Sequence, residues 1–149
     1  MSFGLAALVS WLATAAFGGV LVYLWATRAV RSAQAGRPTY GRPPPYIPRW
    51  LVVSHVLLAV GGLIAWVGAL VLLDELAFAA IAALAAVAVL GASMFVRWLG
   101  SRRARHAARA LSGAPSESRL PTAVVLGHGL LGITTVLFVI LSWFRPYGF

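Results

Sequence analysis

The stretch PRWLVVSHVLLAVG (Pro48–Gly61) sets a histidine a few residues inside an uninterrupted apolar run, and PTAVVLGHGLLGIT (Pro121–Thr134) does nearly the same further along. Both runs belong to longer segments that carry no charge. Four such segments exist, at about 3–27, 50–73, 76–96 and 122–144. Each has about 20 residues or more, enough at about 1.5 Å per residue to cross about 30 Å of hydrocarbon. The pattern predicts four transmembrane helices and an all-α integral membrane fold. Composition agrees: 61% of the 149 residues are hydrophobic and only 3 are acidic, whereas a soluble domain carries about a quarter of its residues charged. The first segment lacks a basic n-region and is too long for the h-region of a secretory signal peptide.

Arginine supplies all 12 basic charges, and lysine is absent. Arg28, Arg31, Arg37, Arg42 and Arg49 lie between the first two spans; Arg97, Arg102, Arg103, Arg105, Arg109 and Arg119 lie between the last two. Only Arg145 falls on the other side, with Asp74 and Glu75. The positive-inside rule then puts both termini outside and both arginine-rich loops in the cytoplasm. The net charge of +9 reads as topology signal and contact with anionic headgroups, so the expected partner is membrane lipid and not nucleic acid. The bias to Ala, Arg and Gly suits a high-GC bacterial genome, and the expected location is the bacterial inner membrane. No cysteine is present, which excludes disulfides, thiolate metal sites and iron–sulfur ligation.

The first loop, Arg28 to Arg49, holds Pro38, Pro43, Pro44, Pro45 and Pro48 and is expected to be extended, with polyproline II character. Tyr46 and Trp50 are expected at headgroup level. The segment from Arg97 to Leu111 is made of helix formers, so the third helix is expected to run over 76–111, extending into the cytoplasm before Gly113 and Pro115 break it. The external link between spans two and three is long enough only for a tight helical hairpin. Residues 1–149 are expected to form one transmembrane domain, with no soluble part among them to house a separate active site.

His55 and His128 are 73 positions apart, and that single offset also pairs Pro48 with Pro121, Trp25 with Trp98 and Gly18 with Gly91. This predicts a duplicated helical hairpin, repeats 1–73 and 74–149. Parallel repeats are related by a pseudo-twofold axis along the membrane normal, so spans two and four sit diagonally and the histidines become symmetry mates at one depth. The stripe from His55 is Ala59, Gly62, Trp66 and Ala69; that from His128 is Gly132, Thr135, Val139 and Ser142. The opposite faces (Val53, Leu57, Val60, Ile64, Val67; Leu126, Leu130, Ile133, Leu137, Ile140) are bulky and aliphatic. Bulky faces meet lipid while small and polar residues meet other helices, so both histidines point inward.

Two facing imidazoles on different helices suit axial ligation of one haem iron, leaving no open coordination position. A porphyrin is wide and flat; Ala59 and Gly132, one turn beyond the histidines, and Gly18 and Gly91 on the other spans, would make room for it. Its propionates would meet Arg49, Arg97 or Arg28 at the cytoplasmic surface. Without cysteine the attachment is noncovalent, a haem b. The plainer reading keeps the histidines as packing groups bonded to a neighbouring serine, threonine or carbonyl, with Ser10, Thr14, Ser93, Thr134 and Thr135 as candidate partners. A quinone pocket without haem is a further alternative. Zinc or copper is poorly served, because no carboxylate or thiol accompanies the imidazoles.

The two Pro-x-x-x-Val-x-x-His-x-Leu-Leu windows and the paired glycines, about a quarter of the chain, resemble four-helix membrane cytochromes b such as the haem-carrying anchors of respiratory oxidoreductases. The resemblance implies electron exchange with a quinone or with other subunits of a membrane redox complex. Such proteins often carry a second histidine pair; here the one other histidine, His106, lies in the arginine-rich segment and reads as a solvated residue. An enzyme acting alone is disfavoured, since Asp74, Glu75 and Glu117 are the only carboxylates and all lie in loops. The contrasting expectation is a haem-free accessory or assembly subunit of a larger membrane complex.

Overall fold

The computed structural model of the chain describes residues 2–34, 47–107 and 120–144. They form four helices, α1 (Phe3–Gln34), α2 (Arg49–Val71), α3 (Leu76–Ala107) and α4 (Thr122–Trp143). All four are long and apolar enough to span a membrane, so the chain is an all-α, four-helix membrane protein. Helices are the local solution because lipid offers backbone groups no hydrogen bonds, and only a helix satisfies them within one segment. Pro48 and Pro121 stand just before α2 and α4 in extended conformation. Their carbonyls accept from the amides of Leu51 and Val124, each at 3.1 Å, tightening first turns that have no side-chain cap.

The C-terminal ends of α1 and α2 differ from the sequence expectation. Helix α1 continues to Gln34, seven residues into the stretch expected to be an extended loop. Residues 28–34 contain neither proline nor glycine and are mostly Ala, Arg and Gln, which favour helix. The proline-rich part at 38–45, with Tyr46, lies outside the described residues. Helix α3 follows its expected extension as far as Ala107; residues 108–111 and the expected breakers Gly113 and Pro115 also lie outside. Helix α2 ends at Val71, where the amides of Leu72 and Leu73 both turn back to the Gly68 carbonyl. The link to α3 is the tight hairpin expected. Trp50, 63% exposed at the start of α2, occupies the position of an interfacial aromatic anchor.

Among the described residues, α1 packs closely along α4 and α2 along α3, while α1 with α2 and α3 with α4 touch only sparsely. No close backbone approach joins α1 to α3 or α2 to α4. The order around the bundle is therefore α1, α2, α3, α4, with α2 and α4 diagonal. Exchanging the hairpins turns the α1–α4 contact into α3–α2, so both close pairs are equivalent under the repeat. Buried positions follow the same 73-residue offset: Gly4 with Ala77, Ala7 with Ala80, Trp11 with Leu84, Gly62 with Thr135, Trp66 with Val139 and Ala69 with Ser142. The aliphatic faces expected to meet lipid are exposed, from Leu57 and Ile64 (67% each) to Leu130 (65%).

The apolar core is in two parts. One gathers Ala7, Trp11, Trp66, Ala69, Ala77, Ala80, Leu84 and Val139 toward the α2–α3 hairpin; the other gathers Ile47, Leu51 and Trp98 at the arginine-rich end. Between them, no described residue from 52 to 61 on α2 or from 85 to 97 on α3 is buried. Neither is any from 120 to 134 on α4 or from 12 to 27 on α1. The histidines lie at this level, between the two core clusters.

Candidate functional site

His55 and His128 each stand six residues past the first residue of their helix, roughly 9 Å along the axis at about 1.5 Å per residue. Diagonal helices at equal depth bring the rings close together across the bundle, inclined edge-on to one another. Their centroids are 6.2 Å apart and their planes are inclined by 62°. Both rings are half-buried.

The two imidazoles are held differently. His128 Nδ1 makes a 2.9 Å hydrogen bond with the Thr14 carbonyl on α1. A carbonyl can only accept, so the bond places the proton on Nδ1 and leaves Nε2 with its lone pair. His55 has the equivalent neighbour, the Val87 carbonyl on α3, but forms no bond of good geometry with it. Its Nδ1 is buried without a partner. The Nε2 atoms of both rings have no protein partner among the described residues, and neither is sealed from solvent.

Gly18 and Gly91 serve the imidazoles first. A Cβ added at Gly18 would stand 3.0 Å from His128 Cε1, and one added at Gly91 would stand 3.2 Å from His55 Cε1. Each glycine lies four residues beyond the carbonyl its histidine faces, so its bare Cα opens the approach to that carbonyl. In the structure the imidazole rings stand directly against these two glycines. Gly132 is less confined, its nearest neighbour being Thr14 Cγ2 at 3.9 Å. Ala59, its mate on α2, is half-buried.

A hydroxyl cluster lies beside His128. Ser10 Oγ and Thr135 Oγ1 are 2.9 Å apart, Thr14 Oγ1 and Thr135 Oγ1 are 3.2 Å apart, and Thr14 Oγ1 donates to the Ser10 carbonyl at 2.8 Å. Of the hydroxyls expected to reach the histidines, none does: Ser93 and Thr134 turn back to carbonyls of their own helices. The partner is the main-chain carbonyl of Thr14, which joins two of the expected options, a carbonyl and Thr14, in one group. A signal existed, since Thr14 precedes Gly18 by one turn on the same face.

Arg49 and Arg97 are exposed, and Arg97 lines an open groove on the outer face of α3 with Val89, Ala92, Ser93 and Val96. The Arg28 and His106 side chains lie outside the described residues. Arg102, not anticipated, sits 5.0 Å from the Trp98 ring centre, a cation–π distance. Among the described residues no group of three or more His, Asp or Glu side chains converges, so the imidazoles form a two-donor set. The chain matches no protein-family model, and no curated protein or solved structure matches it.

Proposed function

We propose that this protein transfers electrons in a membrane, holding one noncovalent haem b between His55 and His128. The observation that carries the reading is the 6.2 Å separation of the opposed rings. Metal–imidazole bonds of about 2.0–2.1 Å, with roughly 1.1 Å from each nitrogen to its ring centre, put two axial imidazoles about 6.3 Å apart. Rotation about the shared axis is free, so an inclination of 62° is compatible with ligation. Two donors are too few for a site made of side chains alone. They suffice where a porphyrin brings four nitrogens of its own.

The supporting residues fit the same reading. A ligating histidine donates its second nitrogen to a carbonyl or carboxylate, as His128 does to Thr14. Haem contributes reversible one-electron chemistry; the chain contributes two imidazoles, an apolar surround and an orientation. With one such site, electrons are exchanged near one face, with a quinone or with a partner subunit of a redox complex. The arginine-rich end is assigned to the cytoplasmic face of a bacterial inner membrane by the positive-inside rule, which leaves both termini outside.

One observation favours a second reading. The His128–Thr14 bond joins α4 to α1, and an interhelical histidine of this kind also serves a haem-free accessory or assembly subunit. The experiment that separates them is a spectrum. Protein purified from haem-replete cells is expected to be red, with a sharp α-band after dithionite reduction that is lost in His55→Ala and in His128→Ala. Colourless wild-type protein leaves the accessory reading in place.

A further inference from the structure

The two histidines occupy equivalent positions in the repeat, yet their surroundings are unequal. Beside His128 stand Ser10, Thr14 and Thr135. The residues at the same positions beside His55 are Ala83, Val87 and Gly62. On the α1–α4 side the hydroxyls tie the helices together and secure the segment that presents the Thr14 carbonyl. The α2–α3 side has no hydroxyl at those positions. Gly62 instead lets the helices meet through carbon, its added Cβ falling 2.9 Å from Ala83 Cβ. The Val87 carbonyl lies beside His55, yet a bond of good geometry forms only at His128, and His55 Nδ1 is left buried and unpaired.

From this asymmetry we infer that the two ligands are unequal: His128 is the anchored one, and His55 is the one that yields its coordination position to a small neutral nitrogen donor. The inference rests on the haem reading above. Its physical basis is that an outer hydrogen bond fixes the tautomer and orientation of a ligating imidazole and raises its basicity, with a typical effect of about 10–100-fold on metal affinity. His128 has that support and His55 lacks it. Exchange at the His55 side is a pure ligand substitution: one nitrogen–iron bond breaks, another forms, and no electron or proton need move.

The test compares His55→Gly with His128→Gly, purified from haem-replete cells with and without excess imidazole. Haem per chain and the absorption spectrum are the readouts. His55→Gly is expected to keep near-stoichiometric haem as a five-coordinate, high-spin species, and added imidazole is expected to restore the six-coordinate, low-spin spectrum. In His128→Gly, haem affinity is expected to be about 10–100-fold lower than in His55→Gly. Equal retention, equal loss or the reverse order overturns the inference while leaving the haem assignment standing. Wild-type protein without haem removes both. Circular dichroism checks that the variants fold; if a glycine variant does not, the volume-conserving pair His55→Gln and His128→Gln is read by the same criteria.

Discussion

Replacing Gly18 by alanine tests the arrangement of the site without reference to any cofactor. The added methyl would meet His128 Cε1 at 3.0 Å, where ordinary contact begins at 3.4 Å, so the ring must retreat by about 0.4 Å. That ring is held by a 2.9 Å bond to Thr14, one turn away on the same helix, and a retreat of this size stretches the bond toward its limit. Overpacking costs about 1–3 kcal/mol, while alanine in a helix gains roughly 0.5–1 kcal/mol over glycine. The expected net loss is about 1–2 kcal/mol, the cost exceeding the gain. Gly91→Ala meets His55 at 3.2 Å and presses on a ring with no hydrogen bond to lose, so its effect is expected to be smaller, close to balance. Gly19→Ala is the control: nothing lies within 4 Å, and it is expected to be neutral or stabilising. Reversible unfolding in mixed micelles, followed by circular dichroism, measures all three. Gly18→Ala protein at least as stable as wild type, or as stable as the Gly19→Ala control, would refute the reasoning.

Thr135→Val removes the hydroxyl shared by Ser10 and Thr14 at almost constant volume; at the about 0.6–1.7 kcal/mol measured for interhelical hydrogen bonds in membranes, the same assay should show a loss in that range. Gly62→Val places branched carbon where Ala83 and Trp11 already stand within 2.9–3.2 Å, and should destabilise by about 1–3 kcal/mol, whereas Gly61→Ala, facing open space, should not. Because the chain has no cysteine, single cysteines report burial directly: Leu57→Cys and Leu130→Cys should react with a lipid-soluble maleimide in membranes, and Ala69→Cys and Ser142→Cys should be protected. With an impermeant maleimide on intact spheroplasts, Asp74→Cys should be labelled at once and Arg103→Cys only after permeabilisation; the reverse pattern inverts the topology.

Much of this architecture is written in the order of side chains. Where lipid is the solvent, backbone hydrogen bonds close within each segment, so an uncharged run of sufficient length is a helix whatever surrounds it. The same solvent sorts the faces, and the small and hydroxylated stripes from His55 and His128 are the ones that turn inward. The 73-residue offset relates sequence positions and, through them, buried ones. Boundaries outside the apolar runs were less legible: α1 continues past residue 27 because helix formers persist in 28–34, and the prolines that suggested a loop begin only at 38.

Which helices pack tightly is a different matter. The short turn makes α2 and α3 neighbours, but no linkage dictates that α1 packs along α4 and only brushes its own hairpin partner α2; that follows from where small residues and hydroxyls interlock. Sequence alone determined that both histidines point inward at one depth, because periodicity and distance from the helix start are local quantities. Only the tertiary structure decided that Gly18 and Gly91 stand against imidazole rings, that a main-chain carbonyl holds His128, and that His55 lacks such a bond. These depend on how the helices sit against one another, which arises from packing summed over the whole interface and is carried by no single residue.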